Sequence, residues 1–393
     1  MATSLLNKPK ISWLQALIVL VLLLPLWMSL SWFFTKKRIL VAAVIDKTVL
    51  TQNGQEHISL TWVLNHEKFT KNDRSLYNNK RDYFGFFPEE KEEFRLKGLE
   101  RFSNDKLTQL SNDADLAYIT DSYGIYKNEW YKQGDAKERS GMVYGGMSKQ
   151  DLFLLQKMKE KHKLVITEFN CLGSPTDSSV RNGFENTFGI HWSGWIGRYF
   201  DSFDTTKNKE LPRWLIYNYK IRHHGEWPFK KSGIAFIHSD DRVVILENDT
   251  HLVNDLPHIY ASTEAITEYG VPEKIHYAFW FDVISVDTTI NKIIAHYQID
   301  ANKPGLAVLA ENGIPAQFPA ITIHCSKDYR FFYFSGDFCD NPIELGSSYF
   351  TGVHFFRWFM YNKLDPQERK SFFWTFYRPL VSKILNEYYS LKL

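Results

Sequence analysis

Two strand-like segments of this chain end in the same way. Ala117-Tyr118-Ile119-Thr120-Asp121 and Leu164-Val165-Ile166-Thr167-Glu168 each close on Ile-Thr followed by a carboxylate. On parallel neighbouring strands, about 4.8 Å apart, Asp121 and Glu168 would share one sheet edge with their oxygens roughly 5 to 9 Å apart. That range covers both carboxyl separations used in glycoside hydrolysis, with one group as acid and the other as base or nucleophile. Carboxylates at such positions also cap the following turn or helix, and the pattern alone leaves both readings open.

Around this edge the chain places Tyr123 and Tyr126, then Asn170, then Trp192, Trp195, Arg198 and Tyr199. Aromatic faces beside carboxylate, amide and guanidinium groups suit a carbohydrate, which needs stacking and many directional hydrogen bonds. The alternative is a buried polar cluster in which Arg198 pairs with Glu168 or Asp121 as a structural ion pair. Gly194 and Gly197 thin the backbone for either a ligand or a packed element. Asp337, in Ser335-Gly336-Asp337-Phe338, ends the last hairpin strand and either reaches the same edge or caps the next turn.

Other chemistries find little support. Cys171 lacks the flanking glycines of a nucleophile elbow. His223 and His224 adjoin Glu226, but no HExxH or Cys-x-x-Cys spacing accompanies them, so no metal is expected. No Walker loop or GxGxxG follows any strand, and no cofactor is expected.

These residues need a scaffold. Arg38 to Ile45 is a continuous apolar run, the pattern of a central parallel strand. A helix is predicted around His57 to Phe69, a strand over Tyr83 to Phe87, a helix over Glu89 to Leu110, and strands over Leu116 to Thr120 and Leu164 to Thr167. Between the last two, Ser148 opens a helix to about Lys161, with Asp151 completing a capping box. A further helix and the aromatic Gly-Trp segment follow Pro175. Then come three hairpins: Gly233 to Ile237 with Arg242 to Leu246, Ile275 to Val286 with Lys292 to Ile299, and Ile321 to Cys325 with Arg330 to Phe334. Aromatic helices over Ser348 to Tyr361 and Pro366 to Tyr389 close the chain. The expectation is a doubly wound, mostly parallel, flavodoxin-like α/β sheet with appended antiparallel β-hairpins. Residues 36–393 carry no linker, repeat or low-complexity tract and read as a single domain.

Residues 11–34 are apolar almost throughout, and at about 1.5 Å per residue they can cross roughly 30 Å of hydrocarbon. The run ends in Trp32, Phe33 and Phe34, then Lys36, Lys37 and Arg38, as an anchor with an aromatic belt does. A single-pass helix is therefore expected after a short tail at residues 1–10, with the lipid bilayer as its partner. Basic residues flank both ends almost equally, and the envelope-like features favour a domain outside the cytoplasm. With 47 Lys and Arg against 45 Asp and Glu the net charge is only +2, so no nucleic-acid partner is expected. Aromatics make up 16% of the 393 residues, enough to supply both core and ligand platforms. Cys325 and Cys339 flank the last hairpin and either pair as a disulfide or remain thiols, leaving Cys171 odd.

In ITDSYGIY (119–126), YGGMS (144–148), TEFNCLGSPT (167–176), GWIGRYF (194–200), FSGDF (334–338) and FFWTFYRPL (372–380) the chain resembles an uncharacterised group of bacterial membrane-anchored proteins. More distantly, its strand and helix order is similar to class I glutamine amidotransferase-like domains. The first resemblance implies anchoring and fold; the second implies a flavodoxin-like sheet. Neither carries an activity over, because the cysteine elbow and His-x-Glu pair of the amidotransferases are missing here. The favoured role is a non-catalytic component that binds or handles an envelope polysaccharide. A glycan hydrolase using Asp121 and Glu168, and a structural subunit docking envelope protein partners, are the alternatives.

Overall fold

A computed structural model describes residues 12–132, 140–362, 365 and 367–392. The expected tail, Ile11 and the first residue of the last predicted helix lie outside them. The strands that matter are β1 (Ala42–Asp46), β2 (Phe84–Pro88), β3 (Phe94–Leu96), β4 (Leu116–Asp121), β5 (Leu164–Glu168), β6 (Ile190–Phe200), β7 (Gly233–His238), β8 (Val243–Glu247), β9 (His258–Ala261), β10 (Lys274–His276), β11 (Phe281–Val286), β12 (Lys292–Gln298), β13 (Gln317–Cys325) and β14 (Arg330–Phe334). The helices used below are α1 (Trp13–Leu22), α2 (Leu24–Phe34), α3 (Ile58–His66), α4 (Asn104–Asp113), α5 (Lys149–Glu160), α6 (Ser178–Phe188), α7 (Arg213–Arg222) and α8 (Arg378–Lys392).

Ten strands form one twisted sheet in the order β10-β9-β12-β13-β14-β5-β4-β1-β2-β3. Its middle, β14-β5-β4-β1-β2, is parallel throughout. Numbered along the chain these five strands run 2-1-3-4-5, the flavodoxin order. The flanking pairs are antiparallel, so the sheet is mixed and not mostly parallel as expected. A second, four-stranded antiparallel sheet has the order β8-β7-β6-β11.

The period of two along the strands sorts side chains into two cores. Val44, Tyr118, Leu164, Ile166, Phe332 and Phe334 face α3, α8 and the inner side of the second sheet. Ala43, Ile45, Ala117, Ile119, Val165, Phe331 and Tyr333 face α4, α5 and α6. The outer side of the second sheet packs on α7. Each fully buried large side chain, Trp62 or Phe184 for example, stabilises the fold by about 1.5 to 3 kcal/mol. The capping box of α5 forms as its sequence requires: Ser148 accepts from Asp151 N–H, and the Asp151 carboxylate accepts from Ser148 N–H at 2.7 Å.

Several expectations need correction. The charged stretch 89–110 is α-helical only from Asn104, with single 3-10 turns at Glu90–Glu92 and Leu99–Arg101, because Phe94–Leu96 is drawn into β3 beside β2. The aromatic Gly-Trp segment is the eleven-residue strand β6. The segment Ile275 to Val286 does not form one arm of a hairpin with β12; it splits into β10 and β11, and β11 joins β6 in the second sheet. Residues 348–361 wind as 3-10 turns, while the last helix passes through a π turn at Phe373–Tyr377 into α8. Cys325 and Cys339 are both thiols, since the whole of β14 lies between their ends of the hairpin.

The apolar amino-terminal run is built as two helices, α1 of 10 and α2 of 11 residues, where one was expected. Pro25 lies in the first turn of α2 and has no N–H for the preceding turn, which interrupts the ladder. Among the described residues no helix is long and apolar enough to cross a membrane.

Candidate functional site

In a 2-1-3-4-5 sheet the connections leave in opposite directions from the first and third strands, opening a crevice at their carboxyl ends. Here those strands are β1 and β4, and both end in aspartate. Their register carries a bulge: Ile45 faces Ile119, but Asp46 faces Asp121, so Thr120 is the extra residue. On the other side of β4, Ile119 faces Thr167. By that register Thr120, not Asp121, stands opposite Glu168. The Ile-Thr-carboxylate echo is therefore out of step by one residue, and the pleat of Asp121 and Glu168 does not match as expected.

Glu168 is sealed. It is fully buried, and Oε2 accepts from the backbone N–H of Phe338 and of Cys339, both at 2.9 Å. Oε1 accepts from the Tyr118 hydroxyl, which lies 3.0 Å from that of Tyr377. Burial pushes the Glu168 carboxyl well up, against the pull of the Tyr118 hydroxyl and with the Asp337 charge adding to the rise. This group ties β5 to the turn after β14 and has no open face toward a substrate.

The open group lies beside it. Asp46 Oδ2 accepts from Glu56 N–H at 2.9 Å and stands 2.7 Å from His57 Nδ1, while His57 Nε2 meets the Asn79 carbonyl at 2.9 Å. These bonds fold the loop after β1 back over the crevice and place Glu56 at its mouth. From the far end of the chain, the turn after β14 supplies Asp337 and Asp340. Glu56, Asp337 and Asp340 are all half-buried, and each offers an oxygen within 4.8 Å of those of the other two. Arg369 crosses the group, donating 2.7 Å bonds to Asp337 and to Asp340 while its guanidinium lies 4.4 Å from the centre of the Phe279 ring. Asp337 N–H is held by the Trp280 carbonyl at 3.2 Å.

Crowded like charges in a partly dry crevice hold protons. Burial, then Asp340 and Asp337, push Glu56 well above the ordinary carboxylate range. Asp121 is also well up, through burial and Asp337, although Tyr123 N–H at 2.6 Å and the Thr48 hydroxyl pull it down. Asp337 is pushed up to about 6 by burial, with Arg369 opposing and Asp340 adding. The three carboxylates have the oxygen donors and spacing that would suit a divalent cation. Arg369 already meets part of their charge from within the protein.

The residues expected at the edge divide. Asp121, Asp337 and Arg198 share one electrostatic neighbourhood, for the Asp337 charge acts on both Asp121 and Arg198. Arg198 pairs with Glu210 at 3.1 Å, not with Glu168 or Asp121, and lies over Trp280 and Phe200. Tyr123 is half-buried beside Asp121, its ring 4.9 Å from that of Tyr126. Asn170 is a loop residue at φ 67° whose carbonyl accepts from the Ser122 hydroxyl at 2.9 Å. Trp192 sits against the Arg181 guanidinium at 4.7 Å and donates to the Trp195 carbonyl at 3.0 Å. Trp195 is core, 2% exposed, and Tyr199 donates to Asp255 at 3.2 Å. Gly194 and Gly197 serve packing, since a Cβ would lie 2.5 Å from His238 and 2.5 Å from the Phe281 ring respectively. Burial holds the Cys171 thiol well up, which removes it as a nucleophile.

Reading the sequence missed Asp46, Glu56, His57, Asp340 and Arg369. One signal was present: the first strand, Ala42-Ala43-Val44-Ile45-Asp46, also ends in a carboxylate, a third instance of the pattern. Lys47, the next residue, turns to the other face and is buried with Asp151 at 2.5 Å, Glu100 and the Gly146 carbonyl. Burial alone would lower the Lys47 ammonium, but Asp151 and Glu100 outweigh it.

No family model and no curated protein matches the chain. Among solved structures it is similar to a putative ThuA-like protein from Bacteroides uniformis, at 10% identity and a TM-score of 0.35, over 82% of this chain and 93% of that one. A carbohydrate deacetylase, Agd3, aligns at 9% identity and a TM-score of 0.31, over 76% of this chain and 30% of that one. A beta-galactosidase from Bacillus circulans sp. alkalophilus aligns at 8% and 0.27, over 58% of this chain, which spans only 22% of that protein. Likenesses of this size define neither the family of the chain nor its activity.

Proposed function

We propose that this chain is a membrane-anchored component of a bacterial cell envelope, that residues 11–34 hold it to the bilayer, and that its domain binds a polysaccharide at the acidic crevice. The observation that carries this reading is the half-buried triad of Glu56, Asp337 and Asp340, with oxygens within 4.8 Å and Arg369 across it. Carboxylates accept from vicinal hydroxyls, a guanidinium donates to ring and hydroxyl oxygens, and the half-buried Phe279 and Trp280 offer flat faces at the rim. The exposed apolar side chains of the amino-terminal run, among them Leu17, Leu22, Leu26 and Trp27, support the anchor.

One feature favours glycan cleavage as a second reading. The triad's oxygens lie within 4.8 Å of one another, inside the roughly 5 to 5.5 Å carboxyl separation of retaining glycosidases, and burial raises both Glu56 and Asp337 above the ordinary carboxylate range. On that reading Glu56 and Asp337 replace the Asp121 and Glu168 pair, because Glu168 is sealed.

The test is retention of the full chain in mild detergent on a panel of purified bacterial envelope polysaccharides, with release of reducing ends measured alongside. Binding that weakens about tenfold or more in Glu56→Gln and Asp340→Asn, without release of ends, is expected. Release that vanishes in both variants would establish the hydrolase. Wild-type protein that retains no glycan would overturn both.

A further inference from the structure

Outside the amino-terminal run the exposed large apolar side chains of the described residues lie singly or in pairs, such as Tyr217 with Ile221 on α7, except in one segment. In the 3-10 segment Val353–Phe359, Phe355, Phe356, Trp358 and Phe359 are 71%, 37%, 65% and 84% exposed. Four such rings in five positions cost solubility unless something covers them. Arg357 is exposed among them.

The position of this segment indicates the cover. Thr351 N–H donates to the Met28 carbonyl inside α2 at 3.1 Å, and Tyr349 packs edge-on against Trp32 at 4.8 Å. Trp32 is fixed in turn, donating to the Asn65 and His66 carbonyls at 3.2 Å with the Lys68 ammonium 3.7 Å from its ring centre. The domain therefore grips α2 along its last two turns, and α2 is not a free stalk. Met28 lies six residues before Phe34, so the chain at Thr351 meets the apolar run about 9 Å below its end. Interfacial segments bury their apolar faces to a depth of about 5 to 10 Å, with Trp and Phe at the headgroup level and basic residues beside them. Lys36, Lys37 and Arg357 supply that charge.

We infer that Val353–Phe359 is a second membrane contact, an aromatic segment that enters the headgroup and acyl boundary beside α2 and fixes the tilt of the domain on the bilayer. This rests on the anchor reading above. It adds that the crevice, joined to the same turn region through Asp340 and the chain that follows it, is held at a set height over the membrane.

The test uses the full chain reconstituted in vesicles of phosphatidylethanolamine and phosphatidylglycerol. Phe359→Cys in a Cys325→Ser background carries an environment-sensitive fluorophore; Val253→Cys, also in an exposed position, is the reference. Flotation reports the anchor and nitroxide lipids report depth. Quenching at position 359 about twofold or more above that at position 253, strongest for shallow nitroxides, is the expected result. Floating protein with equal quenching at both positions would overturn this inference and leave the anchor standing. Apolar emission at 359 without lipid quenching would also overturn it, in favour of a second copy of the chain as the cover. Protein that does not float would overturn both readings.

Discussion

Glu168 and Glu56 are the same residue type at the same end of the same sheet, and they do opposite work. Glu168, at the end of β5, accepts from two backbone N–H groups and a tyrosine and is 0% exposed. Glu56, on the loop after β1, faces two other carboxylates across a half-open crevice. The sealed one has both oxygens committed, Oε2 to the turn that carries Asp337 and Asp340 and Oε1 to Tyr118 of β4. The open one has like charges for neighbours, which with burial raise its carboxyl well above the ordinary range. A strand-end carboxylate becomes a candidate for chemistry only where the topology opens a crevice, and in this sheet that is between β1 and β4.

The largest way to break this contrast is Glu168→Ala. It orphans the Cys339 N–H, leaves Phe338 N–H only the Gly336 carbonyl and removes the acceptor of Tyr118, and should cost about 3 to 5 kcal/mol in a chemical denaturation. Glu56→Gln should leave the same denaturation midpoint nearly unmoved. If the two variants destabilise equally, the division into sealed and open groups fails.

The pH dependence of stability should come next in size. Asp282, fully buried with Tyr333 donating to it at 2.6 Å, is pushed up to about 7 by burial, and Asp337 to about 6. Unfolded carboxyls titrate near ~4. Between those values the folded chain binds more protons than the unfolded one, so this stability is complete below about pH 4 and is lost as pH rises through 6 and 7. Stability read from urea denaturation should therefore fall from pH 4 to pH 8, by roughly 7 kcal/mol if both groups contribute in full. Asp282→Asn should flatten the upper part of that fall, and a midpoint that climbs over this range would contradict the assignment.

A smaller effect separates ring residues of the second sheet from those at the rim. Tyr199→Phe removes only the bond to Asp255, and should cost about 0.5 to 1.5 kcal/mol with unchanged glycan retention. Arg198→Met, beside Trp280 and within the field of Asp337 and Arg369, should weaken retention severalfold with little loss of stability. Equal retention by both variants would place the ligand away from this rim.

Much of the scaffold was legible because its signals are local. The apolar runs of β1, β4 and β5, the alternation that feeds two cores, the Ser148 cap with Asp151 and the turns of two hairpins each depend on residues a few positions apart. Pro25 within the apolar run was passed over when one helix was expected there, although the break follows from one missing N–H. Where local signals competed, long-range pairing won: Phe94–Leu96 became a strand because β2 offered it an edge, and Phe281–Val286 left its hairpin because β6 offered a longer one.

The site was decided by tertiary structure alone. Glu56 and Asp340 are 284 positions apart (340 − 56), and nothing in either segment names the other. The sequence by itself determined that several strands end in carboxylates. It did not determine which would be sealed, because that depends on where the backbone of Phe338 and Cys339 and the ring of Tyr377 come to rest. Nor did it determine the register, where one bulged residue, Thr120, puts the apparent pair Asp121 and Glu168 out of step and puts Asp121 opposite Asp46. Proton affinity and access are properties of an environment, and only the assembled sheet supplies one.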